Sequence, residues 1–163
     1  MSTGSSSIPR SVWRNPWCVA ALGFGAGALP KAPGTWGTLL AVPFYFLFGR
    51  LAIVEYALLM IVLFIVGVWI CGKAGRELGV ADHGAIVWDE MVGFWVTMMA
   101  APSGWPWVVA GFVLFRLFDI WKPWPISWLD RRIGGGLGVM LDDLAAGIYA
   151  ALCLGLAGTL LIP

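Results

Sequence analysis

Seven of the nine acidic residues in this 163-residue chain fall between Asp82 and Asp143. They recur as Asp89-Glu90, as Asp119 three residues after Arg116, and as Asp142-Asp143, and these three groups begin or end apolar stretches. A carboxylate near hydrocarbon costs roughly 2.5 to 3.5 kcal/mol on insertion scales, so it persists where it binds something or carries chemistry. Convergent carboxylates offer hard oxygen ligands, which favour Mg²⁺, Mn²⁺ or Ca²⁺. With one histidine, His83, and no paired cysteines, a zinc or copper site of the imidazole or thiolate kind fits poorly. Two glycine-rich segments precede apolar runs, Lys31 to Thr38, which includes Thr35, and Gly134 to Gly138. Backbone N–H groups at a helix start make an anion site, although glycine in a membrane protein also serves tight packing. Beside Lys31, Arg116 and Lys122 these segments point to phosphate.

The elements that must position these residues are apolar helices. The chain is 60% hydrophobic and 12% charged, with a mean hydropathy of +0.87, whereas a soluble domain is about 25% charged. Uncharged runs cover residues 32–49, 56–72, 91–115 and 144–163, and Pro102 to Pro106 forms a turn inside the third. A spanning helix needs about 20 residues, which gives five expected spans near 35–49, 52–72, 84–101, 106–121 and 137–161. Trp17 to Leu29 is short and rich in glycine and alanine, and reads as a re-entrant or interfacial segment. The expected fold is an all-α, integral-membrane bundle of about five spanning helices. Residues 1–14 form a flexible polar segment and residues 15–163 a single membrane-embedded domain. A net charge of +1 leaves no basic surface for nucleic acid. Cys18, Cys71 and Cys153 sit in apolar sequence and read as buried free thiols.

Charge sets the expected orientation. With the N-terminus cytoplasmic and residues 17–29 turning back, Lys31, Lys73, Arg76, Lys122, Arg131 and Arg132 lie inside and only Arg50 lies outside, as the positive-inside rule requires. A signal peptide ending near Ala26-Gly27-Ala28 competes, but its apolar core is short and cleavage would leave the asymmetry unexplained. The favoured topology brings Asp89-Glu90, Arg116-Asp119 and Asp142-Asp143 to helix ends at one boundary. Gly93 and Gly147, each one turn beyond an acid, would let the helices approach closely. The plainer alternative is a set of solvated acids that favour helix dipoles; it suits Asp82 and Asp130 and explains three converging groups poorly.

The segments GFGAGALPKAPGTWGTL (23–39), DHGAIVWDEMVG (82–93) and FRLFDIWKPWPISWLDRRIGGGLGVMLDDLAAG (115–147) closely resemble the bacterial phosphatidylglycerophosphatase A family. The resemblance runs from about Asn15 to Gly147. It implies a Mg²⁺-dependent phosphatase, with Mn²⁺ as a possible substitute, in the bacterial cytoplasmic (inner) membrane. Its active site would face the cytoplasm and convert the lipid phosphatidylglycerophosphate to phosphatidylglycerol and phosphate. It also implies an all-α bundle with a central helix ringed by others.

Phosphomonoester hydrolysis needs charge neutralisation at the phosphoryl oxygens and a positioned nucleophile. Asp89, Glu90, Asp142 and Asp143 are the expected metal ligands, and Arg116 and Lys122, with Lys31 and Thr35, the expected phosphate contacts. Asp119 would orient Arg116 or join the metal shell, and His83 is either an acid for the leaving oxygen or a helix cap. An aspartyl-phosphate intermediate is an alternative to attack by water. Two other classes compete: a cation transporter, which would need the acids at mid-membrane, and an intramembrane aspartyl protease, against which the nearby basic residues argue.

Overall fold

The computed structural model describes residues 8–161, and the described residues are helical with no strand. Eight α-helices follow in order: α1 (Arg10–Arg14), α2 (Pro16–Ala21), α3 (Pro33–Phe48), α4 (Ile53–Leu78), α5 (Trp88–Met98), α6 (Trp105–Trp121), α7 (Ile126–Arg132) and α8 (Gly135–Leu161). Between α2 and α3 lies a 3-10 segment, Gly23–Ala28, broken at Phe24 and Gly25 by left-handed backbone. Trp17 to Leu29 is therefore a short helix plus a kinked turn, far below the length of a span. Arg10–Arg14, inside the segment expected to be flexible, forms a helix with Val12 buried; residues 1–7 of that segment lie outside the described residues.

Each of the five expected spans has a helix, with shifted ends. α4 and α8, of 26 and 27 residues, are long and apolar enough to cross a membrane. The other three are shorter, at 16, 11 and 17 residues for α3, α5 and α6. Two helices thus meet the length criterion where five were expected. α3 and α6 fill the ranges expected of them, which were themselves short of a full span, whereas α5 is cut back from the expected 84–101 by the loop before Trp88 and the Pro102 to Gly104 turn after it.

α5 is the axis of the bundle. It packs on α3, α4, α6 and α8, and every residue from Met91 to Met98 is buried. Buried hydrogen bonds fix its neighbours. Tyr56 Oη of α4 donates to the Trp95 carbonyl at 2.9 Å, and Trp95 Nε1 donates to the Ala41 carbonyl of α3 at 2.8 Å. Thr97 Oγ1 lies within hydrogen-bond reach of both the Gly93 and Gly147 carbonyls. Where α5 crosses α8, a Cβ on Gly147 would collide with the Gly93 carbonyl, and one on Gly93 would collide with Phe115 and the Asp143 carbonyl. These glycines let backbone meet backbone, as the sequence pattern predicts.

The bundle is apolar outside as well as inside. On α4, Ile53, Val54, Leu58, Ile61, Val62 and Ile65 are each more than half exposed, and α8 presents Leu152, Leu156 and Leu160 in the same way. Only 22% and 28% of the apolar windows of α4 and α8 are buried, whereas the core helix of a soluble protein would bury most of its apolar surface. Cys18 and Cys71 are buried, but Cys153 is exposed, which corrects the expectation for that thiol. It follows Leu152 on the outward side of α8, where apolar sequence does not imply burial.

Candidate active site

The acids converge at one end of the bundle. Asp89 and Glu90 occupy the first turn of α5, where carboxylates favour the helix dipole. Asp143 reaches them from α8, and one oxygen from each of the three lies within 4.8 Å of the others. Asp89 and Asp143 are buried, and Glu90 is largely so. α8 begins at Gly135, so Asp142 and Asp143 are its eighth and ninth residues, two turns into the helix and not at its start.

Arg116 of α6 faces this trio. Its Nη1 is 3.7 Å from Glu90 Oε1 and 2.5 Å from Asp119 Oδ2, so the i, i+3 spacing brings Asp119 onto Arg116. Neither approach has hydrogen-bond alignment, and Arg116 Nε and Nη1 are buried without a hydrogen-bond partner. Asp119 also lies beside Asp143. The start of α3 closes this side, because a Cβ on Gly34 would run into the Glu90 carboxylate and Arg116 Nη1. The residues just before it, Lys31 and Ala32, hold positive φ angles of 63° and 50°. Such backbone costs of order 1 to 3 kcal/mol per residue and gathers at functional sites. Thr35 follows in the first turn of α3, its N–H bonded to the Ala32 carbonyl.

Asp142 faces elsewhere. Lys122 Nζ bonds Asp142 Oδ2 and, at 2.7 Å, Asp130 Oδ1. Lys122 has a φ of 45°, and it ends α6 so that its ammonium reaches both acids. Burial works against its charge, but the two carboxylate bonds outweigh burial and hold its pKa above the ordinary lysine value. Asp130 therefore has a partner and lies near the end of α7, where a solvated acid at a helix start was expected. Nothing in the sequence marked that pairing except the short loop from 122 to 130. His83 lies in the loop before α5, and its Nδ1 accepts the Ala85 N–H at 3.1 Å, closing a turn rather than capping the helix.

Of the two glycine-rich segments, the first reaches the site through Gly34. The second lies inside α8, where a Cβ on Gly136 would strike the Val68 carbonyl and Gly72 of α4. Gly136 thus serves close packing of α8 on α4, and Gly138 the close approach of the Ile133 carbonyl.

Buried carboxylate oxygens need partners. Asp89 Oδ1, Glu90 Oε2, Asp142 Oδ1 and Asp143 Oδ2 are buried and have none among the described residues. Hard oxygen donors at this separation, left unsatisfied by the protein, fit a divalent cation such as Mg²⁺.

The chain is an all-helical bundle with outward apolar faces, two helices long and apolar enough to cross a membrane, and a buried acidic centre beside a guanidinium at one end. The family profile described as Phosphatidylglycerophosphatase A matches residues 19–158. The phosphatidylglycerophosphatase A of Escherichia coli K12 is 49% identical over 138 residues, covering 84% of this chain and 80% of that protein. That of Haemophilus influenzae is 42% identical over 140 residues, covering 85% and 86%. A Bacteroides thetaiotaomicron relative, provisionally named a phosphatidylinositol-3-phosphatase, is 41% identical over 143 residues, covering 83% and 89%. No solved structure matches the chain. This chain belongs to the phosphatidylglycerophosphatase A family.

Proposed function

We propose that this protein hydrolyses the terminal phosphomonoester of phosphatidylglycerophosphate, giving phosphatidylglycerol and phosphate. The observation that carries the reading is the Asp89, Glu90 and Asp143 trio with its unpartnered oxygens beside the unpartnered Arg116 donors. An anion-binding guanidinium and a cation-binding carboxylate set, side by side, suit a phosphate that must be both held and neutralised. The names of the Escherichia coli and Haemophilus influenzae relatives supply the lipid. The provisional phosphatidylinositol-3-phosphatase name marks lipid phosphates as the common substrate class.

Asp89, Glu90 and Asp143 would hold Mg²⁺ or Mn²⁺, with the Asp142 Oδ1 oxygen a further donor. When bound, the metal supplies Lewis-acid charge neutralisation and lowers the pKa of coordinated water. Arg116 directs its Nε and Nη1 donors to the phosphoryl oxygens, and Asp119 keeps the guanidinium in place. Gly34 leaves room for the Glu90 carboxylate and the Arg116 guanidinium, and Lys31 and Thr35, at the start of α3, would meet the phosphate from that side. Lys122 fixes Asp142 and adds positive charge on the α8 side. His83, held in the loop before α5 by the Ala85 N–H bond, is the proposed acid for the leaving glycerol oxygen.

The placement follows from the same features. In this reading the N-terminus is cytoplasmic, and α3, α4, α5, α6 and α8 present their acidic end at the inner face of the cytoplasmic membrane. The charge asymmetry and the exposed apolar faces support this. Phosphate release from phosphatidylglycerophosphate by the purified protein tests the reaction, and its absence would sink the reading. Single cysteines at Ser11, Ser103 and Ser127, in a background lacking the native three, test the placement. In intact cells only position 103 should react with a membrane-impermeant thiol reagent, and labelling at 127 would put the Lys122 loop outside.

A further inference from the structure

α3 and α6 run antiparallel. Gly34 at the start of α3 meets Arg116 near the end of α6, and at the other extreme the Phe46 and Trp105 rings lie 4.9 Å apart. Between these two contacts the helices do not close on each other. An open cavity of about 360 Å³ separates Leu39, Val42 and Pro43 of α3 from Val108, Val109 and Phe112 of α6. Pro43 has no N–H to bond the Leu39 carbonyl, which is the local device by which a helix bends from its neighbour.

The cavity lining lies on the same helix faces as residues of the acidic end. On α3, positions 35, 39, 42 and 46 share a face, and on α6 positions 105, 109, 112 and 116 do the same. Beyond the cavity those faces lead to Thr35 and Arg116 at one end, and at the other to Trp105, which lines the cavity and packs on Phe46. From 35 to 46 and from 105 to 116 there are eleven residues each, or about 16 Å at 1.5 Å per residue.

We propose that this groove seats an acyl chain of the lipid whose phosphate is held at Arg116, so that substrate enters sideways between α3 and α6; this rests on the function proposed above. The occupant is a chain of the substrate itself because the wall residues are wholly apolar while the helix faces that carry them lead to Thr35 and Arg116, the proposed phosphate contacts. Lipid tails already lie in hydrocarbon, so the groove contributes fit and orientation rather than transfer from water. A chain held along it aligns the headgroup with the carboxylates and selects a substrate with full-length chains over a short one.

The test compares dipalmitoyl and dihexanoyl phosphatidylglycerophosphate in detergent micelles. The unaltered protein should show a higher kcat/KM for the dipalmitoyl lipid. Leu39→Trp and Val109→Trp, both at half-exposed groove positions, should cut the ratio of the two kcat/KM values by about tenfold, the scale on which a filled apolar subsite discriminates. The dihexanoyl rate, unchanged, reports an intact fold and site. Ile61→Trp, on the outer face of α4, should alter neither. Normal phosphate release with no chain-length preference, or variants that depress both substrates alike, would overturn the groove alone. No phosphate release from either lipid by the unaltered protein would overturn the catalytic reading and the groove with it.

Discussion

Asp142 and Asp143 are adjacent, both buried at 5% and 3% exposure, and set about 100° apart around α8 by its 3.6-residue turn. Asp143 faces two more acids, with Arg116 at the margin and oxygens that nothing in the protein satisfies. Asp142 faces a lysine, which a third carboxylate, Asp130, helps to hold. On the Asp142 side one lysine serves two carboxylates, and on the Asp143 side Asp89, Glu90, Asp119 and Asp143 share the single Arg116 guanidinium. Burying ionised groups without compensation costs several kcal/mol each. The Asp143 side, with the larger excess of negative charge, is therefore where a cation would contribute most, whereas Lys122 already meets Asp142 Oδ2 and leaves only its Oδ1 to give.

That contrast can be broken experimentally, and the largest effect concerns the missing charge. Chelation should abolish phosphate release, and Mg²⁺ should restore it; full turnover in excess chelator would show that the acid-rich side needs no cation. Next come the carboxylates themselves. Asp89→Asn, Glu90→Gln and Asp143→Asn should each lower kcat by about a hundredfold or more, with the protein still folded, since each removes part of the charge that steadies the transition state. Asp142→Asn should cost only about tenfold, through a displaced Lys122 and a misplaced helix face. Equal losses at 142 and 143, measured side by side, would erase the distinction between the two faces.

A third comparison removes no charge. Gly34→Ala should lower kcat/KM by about tenfold, because a methyl group displaces Glu90 and Arg116 from their positions. Gly155→Ala, with only ordinary contact to Ala100, should leave activity unchanged. Similar behaviour of the two variants would mean that Gly34 does not shape the site. The smallest effect belongs to Asp130→Asn, at less than about twofold, since an exposed ion pair is worth about 0 to 1 kcal/mol. A large loss there would promote Asp130 from support to participant.

Much of this arrangement is legible in the sequence. Hydropathy marks the five long helices, and the positions of Asp89, Glu90, Arg116 and Asp119 at helix ends follow from where the apolar runs stop. Gly93 and Gly147 announce the crossing of α5 and α8. What the sequence does not carry is rotation about a helix axis. Whether Asp142 or Asp143 joins Asp89 depends on how α8 is turned against α4 and α5, and Gly136 and Gly147 set that by backbone contact. Helix length at the centre is hidden for a related reason. An axial helix wrapped by others has no lipid to match, so α5 stops after 11 residues although the apolar run continues. The pairing of Lys122 with Asp130 is invisible because a left-handed residue and a short helix fold the loop back on itself.

The glycine crossing of α5 and α8 has a mechanical consequence. Asp89 lies one turn from Gly93, and Asp143 one turn from Gly147, so the gap between their carboxylates is gauged by two backbones already in contact. Such a gauge cannot be squeezed further, and the buried Thr97 bonds resist its opening. A force from outside the bundle falls first on the outward apolar faces of α4 and α8, whose side chains can repack. The ring of outer helices thus acts as a cushion around a fixed calliper, and the chemistry at the calliper's tip is insulated from the softness of the solvent it inhabits.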